Sequence, residues 1–239
     1  MRFRGRAHCE FAKCPACGSI ARDRFLHHCF VRHVAWRDGL SVLETSPRLG
    51  ADYLRVMGER MDYVASDFDQ SLHAAPLSID LQDISLPDDS YDAVLTAHVL
   101  EHVPDTDLAL KELHRITRPG GSVLLQVPLL QPYTAPPAEP EFHEDNTPVH
   151  WRFGVDLTDR ARGAGFEATM MVTEDLARRV AARDPSWRTI ASEFDAAGIV
   201  SAMNVDDLTV VATDREARRM GFEPSYMFVT WACRRPAGR

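Results

Sequence analysis

Apolar residues in this chain gather into short runs separated by polar turns. The clearest run, Tyr91 to Thr96, follows the turn Pro87-Asp88-Asp89-Ser90 and predicts a parallel strand buried on both faces. Leu108, Leu110, Leu113 and Ile116 then fall at a mostly helical spacing, with Lys111, Arg115 and Arg118 towards the end. Pro119-Gly120-Gly121 is expected to close that helix, and Ser122 to Val127 reads as the next buried strand. Upstream, Leu26, Phe30 and Val34 recur every four residues and predict a helix from Ile20 to Arg37, closed by Gly39. Leu40 to Glu44 and Tyr63 to Asp67 read as strands flanking a loop and a helix. Towards the C-terminus, Ala168 to Thr173 and Ser225 to Cys233 predict two adjacent strands, the second antiparallel. Residues 174–224 between them exceed any hairpin loop. They hold helical patterns at Asp175 to Ala182 and Trp187 to Ala197 and an apolar run, Leu208 to Ala212, and read as an inserted cap or dimer-forming element.

A chain of 239 residues can bury one sizeable core. The division expected is a cysteine-rich N-terminal module with its helix over 1–38, followed by one α/β domain over 39–239. No span is apolar enough to cross a bilayer and no signal-peptide pattern opens the chain, so the expected setting is cytoplasmic. The net charge of −8 argues against a surface that grips nucleic acid throughout. Residues 1–38 run the other way, with eight basic residues against three acidic ones.

Four of the five cysteines, Cys9, Cys14, Cys17 and Cys29, lie in the first 29 residues. Without secretory features, such clustering favours metal over disulfides. Cys14-Pro15-Ala16-Cys17-Gly18 has knuckle spacing, in which two thiolates can face one zinc ion and glycine permits the turn. Cys9 and Cys29 complete the expected set of structural zinc ligands, with His8, His27 and His28 as alternatives to Cys29. The competing reading is reduced thiols packed against the first helix.

The order of elements from Asp80 to Val127, with His98-Val-Leu-Glu101-His102 after the buried strand, resembles the second half of a class I S-adenosylmethionine-dependent methyltransferase. Cys14-Pro-Ala-Cys-Gly-Ser-Ile-Ala-Arg22-Asp23-Arg24 is similar to the C-P-x-C-G-S-x-x-R-x-R segment of one bacterial branch of that family, which usually has histidine where Asp23 stands. The resemblance implies a Rossmann-like α/β fold with a seven-stranded, mostly parallel sheet and an antiparallel last strand. It implies S-adenosylmethionine as cofactor, a small-molecule substrate, and direct displacement at the sulfonium methyl.

On the same resemblance, Glu44, Thr45 and Ser46 hold the methionine end of the cofactor, although Ser46-Pro47-Arg48-Leu49 replaces the usual Gly-x-Gly loop. Asp67, 23 residues after Glu44, is expected at the ribose hydroxyls, with Phe68 on the adenine. Asp80 and Leu81 would face the adenine amino group, and Ala97 and His98 line the pocket. Arg22 and Arg24 could bind a carboxylate over that pocket, or form a solvated basic helix start. Six prolines between 128 and 148 rule out a regular element there and suggest a substrate lid or a linker; Tyr133 lies within it. His150 and His102 are the candidates for substrate contact or proton removal.

Three rival readings remain. The H-x-x-E-H string matches a zinc-peptidase pattern, but it directly follows a buried strand and is cut by Pro104 rather than lying in a long helix. The cofactor could instead support aminocarboxypropyl transfer or an intramolecular cyclisation releasing methylthioadenosine. The basic N-terminal module could deliver an RNA methyltransferase, against which the acidic body counts. A homodimer remains open.

Overall fold

The computed structural model describes residues 13–34, 37–68, 75–143, 146–186, 195–221 and 229–238. Cys9, most of the 187–197 pattern and the start of the last expected strand lie outside the described residues.

The chain runs through α1 (Ala21–His33), β1 (Ser41–Thr45), α2 (Ala51–Arg60), β2 (Asp62–Asp67), β3 (Leu77–Ser78) and β4 (Tyr91–Ala97). A 3-10 turn (Leu100–His102), α3 (Thr106–Ile116) and β5 (Thr117–Gln126) follow. Then come β6 (Glu141–Phe142), β7 (Pro148–Val149), α4 (Leu157–Gly163), β8 (Glu167–Thr173) and α5 (Glu174–Ala182). The chain closes through α6 (Ala196–Ala202), β9 (Leu208–Ala212), α7 (Asp214–Arg219) and β10 (Val229–Arg234). Among the described residues one eight-stranded sheet has the order β3-β2-β1-β4-β5-β10-β8-β9. Its neighbours are parallel except that β10 runs antiparallel to both β5 and β8. This is the α/β sheet the sequence pattern anticipates, with one strand more.

The extra strand is β9, the apolar run Leu208–Ala212, which pairs in parallel with β8 at the sheet edge. The 174–224 segment therefore supplies an edge strand together with α5, α6 and α7. On one face α1 buries Phe25, Leu26, Cys29 and Phe30 against Val42, Leu95, Leu124 and Ala232. On the other, α3 buries Ala109, Leu110, Leu113 and Ile116. Leu108, counted in the helical pattern, points outward and is 42% exposed. At the centre Trp231 is fully buried and its indole N–H donates to Thr158 Oγ1 at 3.0 Å.

Pro119-Gly120-Gly121 does not end α3, which stops at Ile116; it forms an irregular first part of β5. There the pairing jumps from Tyr91–Thr117 to Ala93–Ser122, so several residues of β5 face one of β4. A Cβ on Gly121 would stand 2.7 Å from the Asp92 carbonyl oxygen, so only glycine fits. No helix among the described residues is long and apolar enough to cross a membrane.

Candidate functional site

Parallel pairing brings the carboxyl ends of β1 to β5 to one edge. Register sets Asp67 beside Ser78, Thr45 beside both Ser66 and Thr96, and Ala97 beside Gln126. Residues far apart in sequence thus form a row: Asp80 after β3, Asp67 ending β2 with Phe68 after it, Thr45 ending β1 with Ser46 after it, Ala97 ending β4 with His98 after it, and Gln126 ending β5.

Asp67 is buried and its Oδ2 accepts a 2.9 Å hydrogen bond from the Ser46 hydroxyl. Ser46 adopts φ 48°, which turns the chain sharply out of β1 in place of a glycine loop. Its N–H donates to the Ser66 carbonyl at 2.7 Å, locking the two strand ends together. Phe68, the next residue, is 71% exposed, a large apolar surface at the strand end. Asp80 Oδ1 accepts from the Gln82 N–H at 2.8 Å, and Gln82 in turn accepts from the Asp105 N–H. Leu81 packs in the core, which leaves only its main chain for a ligand. Thr45 donates to Thr96 across the strands at 2.8 Å.

Glu44 is anchored from the protein side. Its Oε2 accepts hydrogen bonds from both Tyr53 and Tyr63, each at 2.8 Å, beneath the edge. Burial pushes its carboxyl up to about 7; the two tyrosines oppose that rise and nearby Asp23 adds to it. One oxygen of the carboxylate expected at the methionine end is thus engaged inside the protein.

The two arginines also separate. Arg22 stands at the start of α1, where its carbonyl accepts from the Gln126 amide at 3.3 Å. Arg24 does not reach over the edge. Its guanidinium binds the carbonyls of Met220 and Ser19 and joins the cysteine loop to the end of α7. Asp23, found where the resembled branch has histidine, accepts the Ile20 N–H at 2.9 Å and so caps the helix.

The cysteine loop is a tight turn, with the Gly18 N–H donating to the Cys14 carbonyl at 2.9 Å and Gly18 at φ 71°. Backbone N–H groups of Cys17 and Ala16 hold the Cys14 thiol below its ordinary value. Cys29 does not join them. It is wholly buried under the sheet, its thiol bonded to Thr230, and burial pushes its pKa up, which disfavours the thiolate a metal needs. No group of three potential metal ligands occurs among the described residues. Metal analysis of wild type and Cys29→Ser is expected to give the same metal content. Loss of metal in the variant would return Cys29 to a metal site.

On the far side of the row, residues 128–143 and 146–156 are tied to one another by main-chain contacts rather than running as a loose linker. Ala135 and Arg152 exchange main-chain hydrogen bonds at 3.0 and 2.9 Å, and β6 pairs with β7. Gly154 lies so close to the Tyr133 backbone that a Cβ would stand 2.4 Å from it. The His150 and Trp151 N–H groups both donate to the Glu101 carbonyl, at 2.8 and 3.2 Å. His102 Nδ1 lies 2.7 Å from the Pro148 carbonyl, so it carries the proton there, and the ring packs edge-on against His143. Tyr133 is 65% exposed. His102 thus holds Pro148 and His143, and His150 is placed through its main chain.

Two groups that the sequence did not single out as site residues stand at the middle of the edge. Glu101 is buried inside the 3-10 turn, 3.5 Å from His98 Nδ1, and Gln126 ends β5 with a buried amide. Glu101 is visible in sequence within the His98-Val-Leu-Glu101-His102 string, whereas Gln126 shows only as a polar residue in L-L-Q-V.

Residues 48–125 match the methyltransferase-domain family. A demethylmenaquinone methyltransferase of Streptomyces avermitilis is 46% identical over 46 residues, 19% of this chain and 20% of the relative. A ubiquinone/menaquinone biosynthesis C-methyltransferase of Shewanella frigidimarina is 25% identical over 125 residues, 45% of this chain and 50% of the relative. The chain therefore spans half or less of the length of these curated relatives. The structure of an S-adenosylmethionine-dependent methyltransferase from Mesorhizobium loti superimposes with a TM-score of 0.51 at 16% identity, over 90% of this chain and 98% of that one. The fold is the Rossmann-like fold of class I methyltransferases.

Proposed function

We propose that the chain binds S-adenosylmethionine along the carboxyl edge of β1 to β4 and transfers its methyl group to a small molecule. The observation that carries this is the row itself: a buried, serine-oriented carboxylate, Asp67, next to the exposed ring of Phe68, in the segment that matches a methyltransferase domain. Asp67 would accept the ribose hydroxyls, Phe68 would cover the adenine, and Asp80 with the Leu81 main chain would border it. The turn at Thr45 and Ser46 and the chain at Ala97 and His98 would border the methionine end. Glu44 works from beneath, fixing the strand end through Tyr53 and Tyr63.

When bound, S-adenosylmethionine supplies an electrophilic methyl carbon that leaves its sulfonium as the acceptor's electron pair bonds to it. The chain's own contribution is alignment and exclusion of water. His150, Tyr133 and the tied stretches 128–143 and 146–156 form the acceptor side in this reading. Because the named activities of the curated relatives include methylation of demethylmenaquinone, reduced naphthoquinones are the first acceptors to try.

Incubation with S-adenosylmethionine and 1,4-naphthohydroquinone should release S-adenosylhomocysteine. Methylthioadenosine formed from the cofactor alone would instead indicate the intramolecular cyclisation. His150→Ala should lower turnover about tenfold or more while cofactor affinity stays within twofold, as expected of a group that touches only the acceptor. A large loss of cofactor affinity with normal turnover at saturation would put His150 on the other side.

A further inference from the structure

At the centre of the edge a set of buried polar atoms has no hydrogen-bond partner. Among the described residues these are His98 Nε2, both carboxylate oxygens of Glu101, whose Oε1 comes no nearer than 3.5 Å to His98 Nδ1, and the side-chain amide oxygen of Gln126. Native interiors leave few such atoms, and each carries a desolvation cost. Four such atoms on three residues, on the β4–β5 side of the cofactor row, mark a site whose partners arrive with a ligand. Backbone geometry supports the same conclusion. His98 sits at φ 54°, a conformation that costs a non-glycine residue energy, and its N–H donates to the Gln126 carbonyl at 2.7 Å. That bend turns the imidazole back onto the 3-10 turn, with Nδ1 3.5 Å from Glu101 Oε1, while a tenth of the side chain stays exposed.

We infer that His98 and Glu101 form an acid–base pair that takes the proton from a weakly acidic O–H acceptor, with His98 Nε2 as the base and Glu101 as the positioning residue. This deepens the methyltransferase reading and rests on it. Facing Nδ1, Glu101 fixes the tautomer with the proton on Nδ1 and leaves the Nε2 lone pair available. Burial lowers the proton affinity of His98, Glu101 raises it, and the guanidinium groups of Arg22 on α1 and Arg48 in the loop after β1 lower it again. The imidazole is therefore neutral at pH 7. The same two arginines favour the oxyanion left behind. In the step, Nε2 takes the acceptor's proton and the acceptor's electron pair forms the bond to the methyl carbon. The carbon–sulfur bond breaks with its pair remaining on sulfur, and the imidazolium returns its proton to water. This pair leaves His150 to contact the acceptor.

Long-range proton–nitrogen spectra of protein labelled with 15N-histidine, with His98→Gln to assign the resonance, test the pair independently of activity. At pH 7 His98 should be neutral and carry its proton on Nδ1. Glu101→Gln should shift its titration to lower pH, because the carboxylate stabilises the imidazolium. A proton on Nε2, or a titration that Glu101→Gln leaves in place, overturns the pairing. At saturating cofactor, His98→Gln should lower turnover of 1,4-naphthohydroquinone by about 10²- to 10⁴-fold. Glu101→Gln should move the acid limb of the pH–turnover profile to lower pH. Unchanged turnover in His98→Gln overturns the base, and failure of the wild type to methylate this probe overturns the acceptor class assigned to it. Calorimetry with S-adenosylhomocysteine keeps the two readings apart: if the wild type does not bind it, the methyltransferase reading fails whatever the spectra show.

Discussion

Glu44→Gln should remove about 3 kcal/mol of pH-dependent destabilisation between pH 5 and pH 8. The Glu44 carboxyl titrates near 7 in the folded protein against an ordinary 4.5. The fold therefore prefers the protonated form. That preference contributes fully below pH 4.5 and is lost as pH rises through 7, where the unfolded chain ionises freely and the folded one still resists. Glutamine carries no such dependence and can still accept the hydroxyls of Tyr53 and Tyr63 through its carbonyl. Urea denaturation at pH 5 and pH 8 measures the difference. The wild type should lose stability relative to the variant across this interval; parallel curves would mean that Glu44 is solvated or paired in a way these contacts do not describe. The result also bears on function, since a carboxyl held half-neutral by burial is poorly suited to grip the cofactor's ammonium group.

Asp67→Ala should weaken S-adenosylmethionine binding by about 1–3 kcal/mol, or roughly 5- to 150-fold. The carboxylate is buried and already aligned by Ser46, so little ordering remains when a diol approaches it. Ser46→Ala should cost less, because it removes the orienting hydrogen bond and leaves the acceptor in place. Asp67→Asn separates charge from shape, retaining volume while exchanging one acceptor oxygen for a donor. Equal calorimetric affinities for wild type and Asp67→Ala would remove Asp67 from the site.

Much of this edge could be read from sequence because strands buried on both faces are written as continuous apolar runs. Val42-Leu43 and Val94-Leu95 need no partner information to be recognised, and the carboxylates that end β1 and β2 follow from their position. What escaped depends on tertiary partners. Cys29 shares the spacing of a ligand set, yet the same helical face that carries Phe25 and Phe30 takes it under the sheet. Arg24 has the spacing of a binding arginine but finds carbonyls at the end of α7, nearly two hundred residues away. The strand β9 looks like an isolated apolar run until β8 supplies its ladder. Glu101 and Gln126 are neighbours of His98 only through the bend at that residue, which a linear pattern does not show.

Hydrogen exchange with and without S-adenosylhomocysteine tests the central claim most directly. The expected result is slowed exchange in peptides covering Thr45–Gly50, Ser66–Phe68, Ile79–Gln82 and Ala97–His98, with β9 and α7 unchanged. Absence of protection at the ends of β1, β2 and β4, or protection confined to the opposite edge of the sheet, would contradict the assignment of the cofactor to this site.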